Sequence, residues 1–99
     1  YLIVVFALVH HIGAKGQKIK HYYPYESTGL ATGMLITALH NVGLASLTHT
    51  PNPMKFLNQV LGRPSNERPF LILVTGYPAE NVQVPDIERR DLSEICTFY

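Results

Sequence analysis

The chain opens on an apolar run, Leu2-Ile3-Val4-Val5-Phe6-Ala7-Leu8-Val9, rich in β-branched residues and closed by polar ones, which predicts a buried β-strand. The run is too short to span a bilayer, and no basic segment precedes it as in a signal peptide. Residues 10–20 carry two glycines and three lysines without sustained periodicity and predict an exposed loop. His21-Tyr22-Tyr23-Pro24-Tyr25-Glu26 continues that loop toward a helix for which Ser27 or Thr28 is the expected cap. From Leu30 the apolar positions Ala31, Met34, Leu35, Ala38, Leu39 and Val42 keep helical spacing, Ile36 widens the face, and Asn41 and Gly43 supply a stop. Gly29 and Gly33 form a Gly-xxx-Gly pair, but Thr28, Thr32, Thr37, His40 and Asn41 would carry the penalty of polar groups in lipid. The glycines are expected instead to let another helix or strand approach closely.

Leu44–Thr50 predicts a strand on which Ser46, Thr48 and Thr50 share one face and Ala45, Leu47 and His49 the other. A second helix follows, with Asn52 as cap, Pro53 at the first helical position, and Gly62 and Pro64 after its end. Met54, Phe56, Leu57, Val60 and Leu61 make its buried stripe. Phe70-Leu71-Ile72-Leu73-Val74-Thr75 is another apolar strand, stopped by Gly76-Tyr77-Pro78. The remainder is loop-like, with Asp91 placed to cap a turn over Leu92–Ile95. Two strands apolar throughout require cover on both faces, and one long and one short helix cannot supply it. The missing layers are expected from a segment outside this chain, a partner subunit, or both. A start at Tyr1, in mid-strand, fits a chain cut from something longer.

Composition narrows the classes. Ninety-nine residues make one small domain, and 46% apolar against 15% charged residues is a globular, not a disordered, balance. A formal charge of +1 leaves no overall footprint for nucleic acid or an anionic membrane. The lone Cys96 cannot form an internal disulfide and reads as a small buried hydrophobe rather than a nucleophile. The five histidines show no metal-ligand spacing, and adjacent His10 and His11 on a strand would point to opposite faces. No metal site is expected. Gly13 and Gly16 do not open a helix after a strand, so no phosphate loop is implied, and no serine sits in a nucleophile elbow.

Two features can carry chemistry. The hydroxyls of Ser46, Thr48 and Thr50 form either a solvent-facing polar edge or a site for a polar ring system. A hydroxyl can donate to an unprotonated ring nitrogen and then rotate to accept from the same nitrogen once protonated, which suits a redox cofactor. Arg89-Arg90 is either a solvated charge pair or a guanidinium gripping a phosphate through two parallel hydrogen bonds.

Ser27-Thr28-Gly29-Leu30-Ala31-Thr32-Gly33-Met34-Leu35, followed by Ala38-Leu39-His40-Asn41-Val42-Gly43-Leu44, resembles the central helix of the iodotyrosine deiodinases, a branch of the nitroreductase superfamily. Leu47-Thr48-His49-Thr50-Pro51 resembles their flavin-contacting strand end, and Leu61-Gly62-Arg63-Pro64, Gly76-Tyr77-Pro78-Ala79-Glu80 and Val84-Pro85-Asp86-Ile87-Glu88-Arg89-Arg90 follow in the family's order. The resemblance implies residues 1–99 as the C-terminal portion of one nitroreductase-like α+β domain. Its mixed sheet would be covered by helices, and a C-terminal arm, Ile95–Tyr99, would pair with the partner subunit. It also implies a homodimer binding flavin mononucleotide (FMN), reductive dehalogenation of halotyrosines, and electrons ultimately from NADPH. By position Thr50 matches the catalytic hydroxyl at flavin N5, which favours one-electron steps in that family. Thr48 matches the neighbouring cofactor contact, and Arg89 the phosphate-binding arginine. His49 departs from a threonine of vertebrate-type members, and the loop after Pro51 is one residue shorter. The substrate lid and further phosphate arginines would lie upstream of Tyr1. A nitro- or quinone-reducing relative and a non-enzymatic dimerisation module are the alternative functions. Location depends on whether the source is bacterial-type, hence cytoplasmic, or animal-type, anchored through an upstream segment.

Overall fold

The structure, a computed structural model, describes residues 1–99. The apolar run forms β1 (Leu2–Leu8) and the second apolar strand β5 (Glu67–Gly76), with β4 (Ala45–His49) between them in sequence. In space the order is β1-β5-β4, so the last strand made is the central one. Both pairings are antiparallel: Ile3 faces Leu73, which faces Thr48, and Leu2 faces Val74, which faces Leu47. The α+β class holds, with the sheet within this chain antiparallel rather than mixed. A register shift between Val5 and Phe6 accommodates β5, where Pro69 can donate no ladder hydrogen bond.

Residues 10–20 correct the loop expectation, because β2 (His10–Ile12) and β3 (Lys18–Lys20) pair as a hairpin, with Gly16 at φ +79° in its turn. Three-residue strands with lysine on either side of Ile19 are too short and polar to show alternation. The pairing is sealed by side chains. His21 Nδ1 lies 2.9 Å from the Leu8 carbonyl, so it carries the proton and donates, which makes its Nε2 an acceptor for His11 Nδ1 at 2.8 Å.

Helix α1 (Pro24–Asn41) starts earlier than the Ser27 or Thr28 cap expected, because Pro24 itself occupies the first turn with its fixed φ. Its stop is the one expected: Gly43 takes φ +82°, and its amide donates to the His40 carbonyl. Thr28, Thr32 and Thr37 hold their hydroxyls on the carbonyls four residues back, which lets Thr32 be buried at the sheet without an unpaired polar atom. Helix α2 is only Phe56–Val60; Asn52 to Lys55 form bends and a turn instead of the predicted cap and first turn. Gly62 closes it at φ +59°. Asp91 precedes α3 (Leu92–Ile95) as expected but makes no side-chain cap bond.

The core is thin. Only Ala7, Leu57, Leu73, Thr32 and Thr75 are buried, and every residue from Tyr77 to Tyr99 is exposed. The radius of gyration is 17.6 Å, whereas a compact domain of this length has about 13 Å. Helix α1 covers the sheet face that carries Leu73 and Thr75, leaving the Leu2–Val74–Leu47 row on the other face exposed at 70%, 37% and 65%. One face of the sheet thus lacks a layer, as the inventory of elements predicts.

Candidate functional site

Register decides where the hydroxyl line points. Ser46 is opposite Thr75 and Thr48 opposite Leu73, so both share the sheet face that α1 covers, while Leu47 points outward. The polar side of β4 therefore lies on the α1 side of the sheet and its Leu47 side is bare, but α1 reaches only Ser46, so Thr48 and Thr50 remain solvent-facing. Ser46 is half-buried, Thr48 exposed, and Thr50 follows the strand end, also exposed. None of the three hydroxyls makes a hydrogen bond within the chain, in contrast to Thr75, whose hydroxyl donates to the Ala45 carbonyl at 3.1 Å. Three rotatable donor–acceptors in a row at a strand end are free for an outside partner.

Arg89 lies in the extended segment between Gly76 and α3. It lines an open concavity of about 550 Å³ with Glu88, Arg90, Asp91 and Glu94. Neither arginine has an ion-pair partner, since Arg63–Glu67 is the one salt bridge in the chain. Three carboxylates beside two guanidiniums make no anion trap on their own. No hydrogen bond or ion pair joins Arg89 to β4, where Thr48 sits on the strand and Thr50 just beyond its end. Cys96, expected to be buried, is exposed because nothing in the chain packs over it; its amide donates to the Leu92 carbonyl, and Cys96 to Tyr99 join no strand.

The sequence reading passed over one well-built local arrangement, the turn after α2. Asn58 Nδ2 donates to the Glu67 and Pro64 carbonyls at 2.8 and 3.0 Å and reaches the Arg63 carbonyl at 3.4 Å. Arg63 grips Glu67 through two parallel bonds, Nε to Oε2 at 2.7 Å and Nη2 to Oε1 at 2.6 Å. That hydrogen bonding, reinforced by the opposite charge, raises the Arg63 pKa and lowers that of Glu67. The i, i+4 spacing of the pair was the available signal.

Over all 99 residues the chain is 50% identical to an iodotyrosine deiodinase of Haliscomenobacter hydrossis. Along its whole length the chain is homologous to iodotyrosine deiodinases. A human relative, iodotyrosine deiodinase 1, is 42% identical over 95 residues, or 95% of this chain. The chain spans 45% of the length of the bacterial relative and 33% of the human one. Among solved structures, it superposes on an oxidised iodotyrosine deiodinase bound to FMN and 3-iodo-L-tyrosine with a TM-score of 0.75. Sequence identity there is 30%, covering 93% of this chain and 44% of that one. An oxidoreductase containing FMN matches with a TM-score of 0.81 over 97% of this chain and 52% of that one; at 17% identity it attests the fold alone. No family model matches. No helix of the chain is long and apolar enough to cross a membrane.

Proposed function

We propose that the protein to which this chain belongs is an FMN-dependent oxidoreductase that reductively removes halogen from iodotyrosine and other halotyrosines. The observation that carries the reading is 50% identity to a deiodinase across the whole chain, without a gap in coverage at β4 or at the Arg89 segment. The solved relative binds both FMN and 3-iodo-L-tyrosine. When bound, the flavin supplies the electrons that replace the carbon–halogen bond with a carbon–hydrogen bond; the protein's part is to hold and tune it.

The residues present fit such a group. Thr50 has a hydroxyl with no partner in the chain. It is assigned to flavin N5, where it donates when that nitrogen is bare and accepts when it is protonated. Thr48, two residues earlier on the same face, is assigned the neighbouring ring contact. Arg89, free of any carboxylate partner, is assigned the flavin phosphate. The mixed charge around Arg89 makes this the role that most needs further arginines from outside the chain. NADPH is the proposed ultimate electron source. A homodimer is proposed because the bare Leu2–Val74–Leu47 row and the outward face of α1 expose apolar surface that a monomeric solution would leave in water. The arm Ile95–Tyr99 is proposed to pair with the partner.

The test is a visible absorption spectrum of the full-length protein together with iodide release from 3-iodotyrosine under reducing conditions. A yellow protein that releases iodide is expected. A colourless protein, or a yellow one that reduces nitro compounds and spares iodotyrosine, overturns the reading.

A further inference from the structure

Charge is unevenly divided along the chain. Residues 1–79 hold six lysines and arginines against Glu26 and Glu67, a net +4, while residues 80–99 hold five carboxylates against Arg89 and Arg90, a net −3. The total of +1 conceals a cationic body. Three of those cations, Lys55, Arg63 and Arg68, line one concavity of about 330 Å³ with Asn58, Gln59 and Ser65, and no carboxylate or apolar residue is among them.

Three details make this more than a solvated surface. Glu67 is wholly engaged with Arg63, so it fixes the guanidinium rather than filling the concavity, and of the five N–H groups of an arginine three remain free. Asn58 ties the carbonyls of Pro64 and Glu67 to α2, so the turn carrying Arg63 and Ser65 is set before any ligand arrives. Lys55 and Arg68 have no ion-pair partner, and the Ser65 hydroxyl makes no hydrogen bond in the chain. With Glu67 offsetting Arg63, the wall keeps a net charge of about +2, the complement of a phosphate dianion.

We propose that the concavity between α2 and the start of β5 binds a phosphate group, with Lys55 and Arg68 as its unpaired cations, Arg63 as its pre-oriented guanidinium and Ser65 as a hydroxyl donor. The site is separate from the β4 hydroxyls and from Arg89. It does not depend on the dehalogenation reading. The phosphate can come from free inorganic phosphate or from a phosphomonoester on a nucleotide, and the test separates them.

The full-length protein is saturated with FMN, so that the flavin's own phosphate site is filled. Inorganic phosphate and adenosine 2′,5′-bisphosphate are then titrated calorimetrically at low, constant ionic strength. One site per chain is expected for both probes, weakened tenfold or more by Lys55→Gln and by Arg68→Gln and largely restored by Lys55→Arg. Both positions are exposed, and equal circular dichroism spectra establish that the variants fold. A bisphosphate that binds at least tenfold tighter than phosphate assigns a nucleotide ligand; equal affinities assign free phosphate. Absence of saturable binding by either probe, or isotherms that both substitutions leave unchanged, overturns the proposal. If the protein takes up no flavin, the functional reading fails while the phosphate isotherm is still read in the same way.

Discussion

Gly33 separates two accounts of α1 by the sign of one substitution. It lies inside an 18-residue helix, where glycine costs about 0.5–1 kcal/mol relative to alanine. A Cβ built there meets nothing within 4 Å, and the neighbouring Leu30 and Met34 are 74% and 75% exposed. Judged by this chain alone, Gly33→Ala therefore stabilises by about that amount. If the bare face of α1 is where a second subunit packs closely, the added methyl overfills the contact, at about 1–3 kcal/mol, and the sign reverses. Gly29 is the control. It looks inward, its virtual Cβ sits 3.7 Å from Phe70 Cζ, an ordinary contact, and Gly29→Ala should show the helix gain without a penalty. The assay is denaturant unfolding of the full-length protein with sedimentation equilibrium of the dimer. The expected result is a weaker dimer for Gly33→Ala, weaker still for Gly33→Leu, and an unchanged one for Gly29→Ala. A stabilised protein with an intact dimer constant for Gly33→Ala would refute close subunit packing at this face.

Thr50→Ala in the full-length protein should leave flavin bound but lower the yield of its one-electron-reduced form. Reductive titration checks this, and an undiminished yield removes Thr50 from N5. Arg89→Ala should weaken FMN binding by about 1.5–3 kcal/mol and Arg90→Ala by much less; equal losses in a flavin-fluorescence titration would mean the wrong arginine has been chosen. Asn58→Ala removes a side chain that bridges two carbonyls at 3.0 Å or less, and should cost about 1–3 kcal/mol of stability in denaturant unfolding. The 99 residues expressed alone should associate and copurify with little flavin, because five buried residues are a scant core. A monodisperse monomer with stoichiometric flavin on size exclusion contradicts that.

What was legible in the sequence follows the strength of the local signal. The apolar runs of β1 and β5 and the glycine stops at Gly43 and Gly62 are there to read, because each depends on a residue's own stereochemistry. The β2–β3 hairpin is hard to read because its strands are three residues long and polar, so Gly13 and Gly16 mark a turn without any alternation beside it. The start of α2 was misplaced because an Asn-Pro pair marks a turn as well as it marks a helix cap. At β4 the alternation was correct, but which side faced inward was not in the pattern. Register with Thr75 and Leu73 sets Ser46 and Thr48 on the α1 side, and the apolar Leu47 side is bare because nothing in this chain covers it. Of the candidate residues, Thr48 and Thr50 fall together through strand periodicity. Arg89 rests on family order alone, because no packing in this chain locates its segment. The phosphate concavity escaped notice because net charge averages the cationic body against the acidic tail.

The strand order also governs the timetable of synthesis. Leu2 pairs with Val74, so β1 leaves the ribosome long before its neighbour exists, a delay of roughly 4–15 s at ordinary elongation rates. Helix α1 and the β2–β3 hairpin rely on local bonds and can form during that interval, whereas β1 and β4 have no other strand of this chain to join. Both wait on β5. The arrival of Phe70–Thr75 closes the two ladders in one event, so a lesion there that delays pairing leaves two apolar strands unprotected rather than one. The nascent chain's most aggregation-prone interval is thus set by the position of its last strand.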